Sequence, residues 1–165
     1  MRRKDRETSR DLALSITDKC SHSTVATINE DGSPYCIPLS LARQGEWLYF
    51  HTAKEGHKID NLRRSTKVCV SCVGDVKAIP GDFSIEFESV IINGTALEVT
   101  DPEEKIHALR LISIRYTPDN MRDFDGAVKR NFDATGVWKI HIDEISGKQK
   151  KLDKDGNVIK FGQGG

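Results

Sequence analysis

What most restricts this chain is how its apolar segments are joined. Residues 24–29 (TVATIN) read as a strand, Glu30-Asp31-Gly32-Ser33 as a turn, and residues 34–43 (PYCIPLSLAR) as a second strand. Asp-Gly supplies the positive φ that a hairpin turn uses. Gln44-Gly45 then turns the chain into a third strand at 46–51. A strand around Cys69-Val70-Ser71-Cys72 comes next, then a loop over 74–81 that contains Pro80. Residues 84–99 (SIEFESVIINGTALEV) exceed one regular strand of about 5–6 residues, so Asn93-Gly94 is expected to break or bulge them. The last strand is expected at 137–142 (VWKIHI), with a charged tail from about 148. The pattern predicts a mainly β protein: a six-stranded antiparallel barrel with a few short peripheral helices. Pro38 marks its strand as an edge or a bulge, because proline cannot donate to a ladder.

Four stretches carry helical spacing. Residues 5–18 place Leu12 and Ile16 on one face, and residues 54–64 do the same with Ile59 and Leu62. Asp101-Pro102-Glu103-Glu104 is a helix start, with Asp101 as N-cap, Pro102 at the first helical position and Glu104 closing the cap. Ile106, Leu109 and Ile112 continue that helix, which must end before Pro118. A last helix is expected at 124–132.

Composition narrows the function. A chain of 165 residues is expected to form a single domain over 1–165. Its 25 Lys and Arg balance 25 Asp and Glu. That balance argues against nucleic acid as the main partner, since binding a phosphate backbone calls for a basic excess. No signal-peptide-like run and no stretch of about 20 apolar residues occurs, so a soluble, cytoplasmic protein with no membrane partner is expected. Cys69 and Cys72 have C-x-x-C spacing, but residues three apart on a strand point to opposite faces. With no turn residue between them and no second pair, they are expected to be small apolar strand residues and not a zinc knuckle.

The chemistry-bearing residues collect where the third strand gives way to a helix: His51-Thr52-Ala53-Lys54-Glu55-Gly56-His57-Lys58. A helix start exposes unpaired N–H groups and its dipole favours an anion. Gly56 would let backbone approach a ligand closely. An anion such as phosphate is one reading of this junction; a solvated helix start is the other. His51 and His57, six residues apart across a strand–helix junction, have no preferred metal geometry, so no metal is expected. His107 and His141 read as ordinary helix and strand residues. Glu86 and Glu88 share a strand face and read as a solvated pair. Gly147-Lys148 lacks the glycine of a phosphate-binding P-loop, because Ile142 stands there, and G-x-G-x-x-G and G-x-S-x-G are both absent. Any redox or transfer chemistry therefore points to a cofactor more than to a side-chain constellation.

Several segments together carry a resemblance. Met1-Arg2-Arg3-Lys4-Asp5-Arg6-Glu7, Asp31-Gly32-Ser33-Pro34-Tyr35-Cys36-Ile37-Pro38-Leu39, Leu48-Tyr49-Phe50-His51, Ser89-Val90-Ile91-Ile92-Asn93-Gly94 and Trp138-Lys139-Ile140 occur in order. So does the spacing of His51, Gly56, Lys58 and Leu62. Over about residues 1–150 the chain resembles the Nim-type 5-nitroimidazole resistance proteins, within the pyridoxamine 5'-phosphate oxidase-like flavin-binding split barrels. The resemblance implies a homodimer with flavin, usually FMN and alternatively FAD, in a cleft between subunits. It implies that Ile37, Pro38, Leu39 and Ser40 lie along the isoalloxazine ring, that His51 and Thr52 lie near the ring or ribityl chain, that Lys58 meets the phosphate and that Ser89 belongs to the pocket. It implies an FMN-dependent oxidoreductase, nitroreductase-like, acting on nitroimidazole-like or other small oxidised compounds, with His51 as the catalytic group. A non-catalytic flavin or haem-binding module, with His51 or His57 as haem ligand, is the alternative. Thr52 departs from the family, where many relatives carry a small residue such as glycine. The chain also lacks the extra basic residues that a pyridoxamine phosphate substrate would need.

Overall fold

The computed structural model describes residues 2–159. Seven strands form one sheet: β1 (Ser23–Ile28), β2 (Pro34–Leu39), β3 (Ala42–Gln44), β4 (Trp47–Ala53), β5 (Lys67–Ala78), β6 (Ile85–Glu98) and β7 (Thr135–Lys150). The order is β2-β1-β5-β6-β7-β4-β3, and every neighbouring pair is antiparallel. The helices are α1 (Arg10–Lys19), α2 (His57–Arg64), α3 (Pro102–Tyr116) and α4 (Phe124–Asn131). Among the described residues no helix is long and apolar enough to cross a membrane.

The six-strand expectation gives way to seven because residues 34–43 are two strands. β2 and β3 lie at opposite edges of the sheet, yet only Ser40 and Leu41 separate them. Three Cα steps span at most about 11 Å, so the sheet must curl until its edges nearly meet. Among the described residues no ladder closes that seam, and the result is a split barrel. Pro38 sits on edge strand β2, opposite Thr24, where its missing N–H costs no ladder bond.

The curl encloses one core. Val25, Leu48, Phe50, Val70, Val90, Ile92 and Ile140 are buried there. Helix α2 adds Ile59 and Leu62, each 1% exposed, and burying such a side chain contributes about 1.5–3 kcal/mol. A second cluster forms where α3 packs Ala108 and Ile112 against Tyr49, Val99 and Val137. Alternation along β4 explains the division: Leu48 and Phe50 point inward, Tyr49 outward to α3.

Other boundaries moved for local reasons. The helix expected over 5–18 begins at Arg10, because Ser9 caps it by accepting from the Leu12 N–H at 3.3 Å. The helix expected from 54 begins at His57, since Gly56 has φ +120, outside the helical region. The loop expected over 74–81 is mostly strand: β5 runs to Ala78 past a bulge between Val73 and Val76. The charged tail expected from about 148 is also strand until Lys150, and its inward residue Gln149 is 2% exposed. Asn93-Gly94 does mark a register shift in β6. The α3 start is as expected, with Asp101 accepting from the Glu104 N–H at 2.7 Å. In β5, Cys72 is buried in the core while Cys69 keeps partial exposure on the other face.

Glu86 and Glu88 are not a solvated pair. Glu88 is 2% exposed and forms ion pairs with Lys19 of α1 and with Lys151, just past β7. It also accepts from the Asp75 N–H at 3.2 Å. Burial alone would raise this carboxyl, but the bonds from Lys151, Lys19 and Asp75 outweigh it and hold the pKa at about 2. A depressed carboxylate pKa stabilises the fold above the unfolded value of about 4.3, and the contribution is lost as pH falls towards about 2. Both lysines are 41% exposed, so solvent screening limits the contribution to about 1–3 kcal/mol. Glu88→Gln should therefore be less stable at pH 7 and lose less stability between pH 5 and 3. Urea unfolding at both pH values checks this, and parallel losses in the two proteins would refute it.

Candidate functional site

The β4–α2 junction draws its residues from three elements. β4 delivers His51 and Thr52, the bend after Ala53 ends at Gly56, and α2 begins with His57 and Lys58. Gly56 can take φ +120 without strain, and a Cβ there would meet nothing within 4 Å. The backbone at the helix start is therefore open to a ligand.

A polar network fixes α2 against β1. Asn61 Nδ2 donates to Thr27 Oγ1 at 3.1 Å and to Asn29 Oδ1 at 2.8 Å. Arg64 donates to Asn61 Oδ1 at 2.6 Å and to the Ile28 carbonyl at 3.2 Å. His57 stacks on Tyr35 with ring centroids 4.2 Å apart, and its Nε2 lies 2.8 Å from Asn29 Oδ1. These contacts hold His57 as a structural residue of the junction.

Lys58 differs from its neighbours. It is half-buried, and burial pushes its pKa down. Among the described residues no carboxylate pairs with it; its Nζ lies 5.6 Å from the centre of the Phe50 ring. A cation over an aromatic face gains only about 0.5–1 kcal/mol at exposed sites. His51 is near enough for the Lys58 charge to act on it: burial first, then Lys58, lowers the imidazole pKa, which favours the neutral ring at pH 7. Thr52 pairs with Gly136 on β7, and its Cγ2 lies 3.5 Å from where a Cβ on Gly136 would stand. The bulk of this threonine is thus met by a glycine on the next strand.

The remaining expected residues divide. Ile37 and Leu39 pack against the barrel core, while Pro38 faces outward. Ser40 is half-buried in the link to β3. Continuing the β3–β4 register, in which Ala42 opposes Tyr49, runs Ser40 towards His51. Ser89 pairs with Lys148 on β7, whereas His51 pairs with Val137, eleven residues earlier on that strand. Eleven steps of about 3.3 Å separate those positions along an extended strand. Within one chain Ser89 is thus remote from the β4–α2 junction, and its hydroxyl lies 3.4 Å from the Lys148 carbonyl.

One part of the site escaped sequence reading. His51 also lines a pocket of about 210 Å³ with Leu109, Ile112, Tyr116, Phe124, Val128 and Phe132 of the α3–α4 region. The helical stripe Leu109-Ile112-Tyr116 could have flagged it, but α3 uses the same stripe to pack on the sheet. Among the described residues no group of three His, Cys, Asp or Glu could hold a metal ion.

A split antiparallel barrel with a basic strand–helix junction beside its seam defines a class, and comparison with known proteins places the chain within it. The family described as pyridoxamine 5'-phosphate oxidase matches residues 9–149, and the chain belongs to that family. A Bacteroides thetaiotaomicron protein, proposed to confer 5-nitroimidazole antibiotic resistance, is 30% identical, with 86% of this chain and 84% of that one covered and a TM-score of 0.73. A conserved hypothetical protein of Mycobacterium tuberculosis is 20% identical, covering 88% of each chain at a TM-score of 0.75. An FAD and haem binding protein of Mycobacterium smegmatis is 22% identical, covering 88% of this chain and 73% of that one at a TM-score of 0.72. The last two likenesses concern the fold alone. No curated protein matches the sequence.

Proposed function

We propose that this chain binds a flavin at the β4–α2 junction and serves as a flavin-dependent reductase of Nim type, acting on nitroimidazole-like or other small oxidised compounds. The observation that carries the reading is Lys58, a half-buried ammonium without a carboxylate partner among the described residues, beside an open helix start. A flavin phosphate, from FMN or from FAD, would supply the missing charge. The 30% identity to the Bacteroides thetaiotaomicron protein supports the choice of substrate class.

The flavin supplies the redox chemistry when bound. The chain's own residues would bind and orient it: Lys58 and the first-turn N–H groups of α2 would hold the phosphate, Thr52 and Ser40 would flank it on the ring side, and His51 would stand nearest the reacting end. A neutral imidazole can hold a substrate by one hydrogen bond and pass a proton to the reduced product. The reading also needs a homodimer. The outer sheet face presents Ala26, Ile28, Cys36, Cys69, Val73 and Ile91, a largely apolar patch bordered by the Lys67–Asp143 pair and suited to a second copy. Ser89 lies on that same face and would reach a flavin only across such an interface.

The first test is the absorbance of the purified protein and of its supernatant after heating. Flavin bands, with FMN or FAD separated by chromatography, are expected. A Soret band would move the reading to a haem-binding module. Colourless protein whose melting temperature neither FMN nor FAD raises would overturn it, because a ligand of the native state must stabilise that state. For the flavin-loaded protein, His51→Ala should keep its flavin and reduce a nitroaromatic compound about 10²-fold more slowly. An unchanged rate would remove His51 from the chemistry.

A further inference from the structure

The pocket between α3 and α4 is set apart by what its walls lack. Leu109, Ile112, Phe124, Val128 and Phe132 supply an apolar lining, and among the described residues no carboxylate, lysine or arginine lines it. Its polar side chains are mostly occupied elsewhere. Tyr116 donates to the Leu41 carbonyl at 2.9 Å, Thr117 to Ser113 at 3.3 Å, Asn131 to Ala127 at 3.0 Å and Thr135 to Asn131 at 2.9 Å. The cations nearest its rings are held too. Lys105 sits 4.0 Å from the Phe132 ring centre and donates to the Phe132 carbonyl, and Arg110 sits 4.1 Å from the Phe124 ring centre and pairs with Asp125. His51 is the one imidazole in the lining, and its ring makes no hydrogen bond to another described residue. It is also the one lining residue that belongs to the β4–α2 junction.

We infer that this pocket is the substrate's binding site, that it takes a single uncharged aromatic ring with a small substituent, and that His51 meets the polar substituent. The inference rests on the flavin-reductase reading for the chemistry, but the pocket's selectivity stands on its lining. Size sets the first limit: an apolar cavity of about 150 Å³ takes up one benzene, and this one measures about 210 Å³. Charge sets the second. A carboxylate buried where no cation lines the wall keeps its desolvation cost without a partner to offset it. Stacking on Phe124, Phe132 or Tyr116 favours an aromatic over an aliphatic occupant of equal volume. The substituent is the polar part, and His51 is the unpartnered imidazole that can meet it.

The test is binding of nitrobenzene and of 4-nitrobenzoate, which share a ring and a nitro group and differ in one carboxylate. Calorimetric titration and thermal shift are run on the purified dimer or monomer as isolated, with its flavin content recorded. Nitrobenzene should bind at least tenfold more tightly than 4-nitrobenzoate. Ala127→Phe and Val128→Phe each push a ring into the cavity from α4, and each should weaken nitrobenzene at least tenfold with flavin content unchanged. Two variants are used so that misfolding of one, seen as a lost melting transition, leaves the other to decide. Equal affinity for the two compounds, or undiminished nitrobenzene binding in a folded filled variant, overturns the inference. The flavin reading fails separately: protein that neither carries nor takes up flavin refutes that reading, while the same titrations still decide the pocket.

Discussion

Gly94→Val is expected to lower the melting temperature by roughly 10 °C, the largest stability loss of the substitutions considered. A Cβ at position 94 would stand 2.5 Å from the His141 carbonyl oxygen and 2.6 Å from Ile140 Cγ2. The first of these is backbone of the paired strand and cannot rotate away. The clash falls where β6 and β7 shift register, with Asn93 opposite Glu144 and Gly94 opposite Ile142. Asp143 is the residue skipped, and it is fixed there by Thr95 Oγ1 at 2.6 Å, by Lys67 at 3.1 Å and by His141 Nδ1 at 2.8 Å. Moving β7 to admit a side chain would break those bonds and disturb the longest strand pair in the sheet. Overpacking of this kind costs about 3 kcal/mol, and in a chain of this length each kcal/mol shifts the melting point by about 2–4 °C. Gly45→Ala is the control: its Cβ meets nothing within 4 Å, and only the φ of +57 opposes it. Thermal unfolding followed by far-UV circular dichroism compares the two. Equal small losses would mean that the β6–β7 bulge does not close on position 94.

Lys58→Gln is expected to do the reverse, sparing the fold and damaging the ligand. A charge-assisted hydrogen bond contributes about 1.5–3 kcal/mol, so flavin affinity should fall by about 10–100-fold. The flavin-free protein should be no less stable than wild type, because the substitution removes a half-buried ammonium that lacks a carboxylate partner. Quenching of flavin fluorescence reads the first effect and urea unfolding of the flavin-free protein reads the second. Unchanged affinity would remove the phosphate role. Loss of more than about 1 kcal/mol from the flavin-free fold would mark Lys58 as a structural residue packed on Phe50.

The two substitutions separate residues that shape the barrel from those that serve the junction. The neighbouring positions divide in the same way. His57, which shares the same eight-residue stretch as Lys58, is held by Tyr35 and Asn29. A surface-type residue in sequence thus became a fixed part of the fold, while Lys58 has no carboxylate partner among the described residues.

Local chemistry settled much of this protein before any tertiary contact. Asp31-Gly32 and Gln44-Gly45 made turns because glycine takes positive φ there, +81 and +57. Asp101-Pro102 began α3, and Asn93-Gly94 shifted the register of β6, since these effects depend on near neighbours. The alternation in Lys67-Val68-Cys69-Val70-Ser71-Cys72 separated the two cysteines without need of a third dimension. The junction at His51 to Lys58 was legible for the same reason: strand, glycine and helix follow one another along the chain.

Tertiary structure decided what depends on distant partners. Residues 34–43 became two strands because the two ends of the sheet curl towards one another, and nothing inside PYCIPLSLAR carries that information. Gly74 looked like a loop and is a bulge, closed over by Glu88, whose Oε2 lies 2.6 Å from where a Cβ would stand. Glu88 looked solvated and is buried, because Lys19 and Lys151 meet it from elements about 70 residues before it and 60 after it. The α3–α4 pocket likewise exists only where two helices and the end of β4 meet. Sequence carried the local backbone preferences and the types of residue at the junction. Burial, pairing of charge and the opening of the pocket are sums over neighbours far along the chain, and the curl of the sheet alone brings those neighbours together.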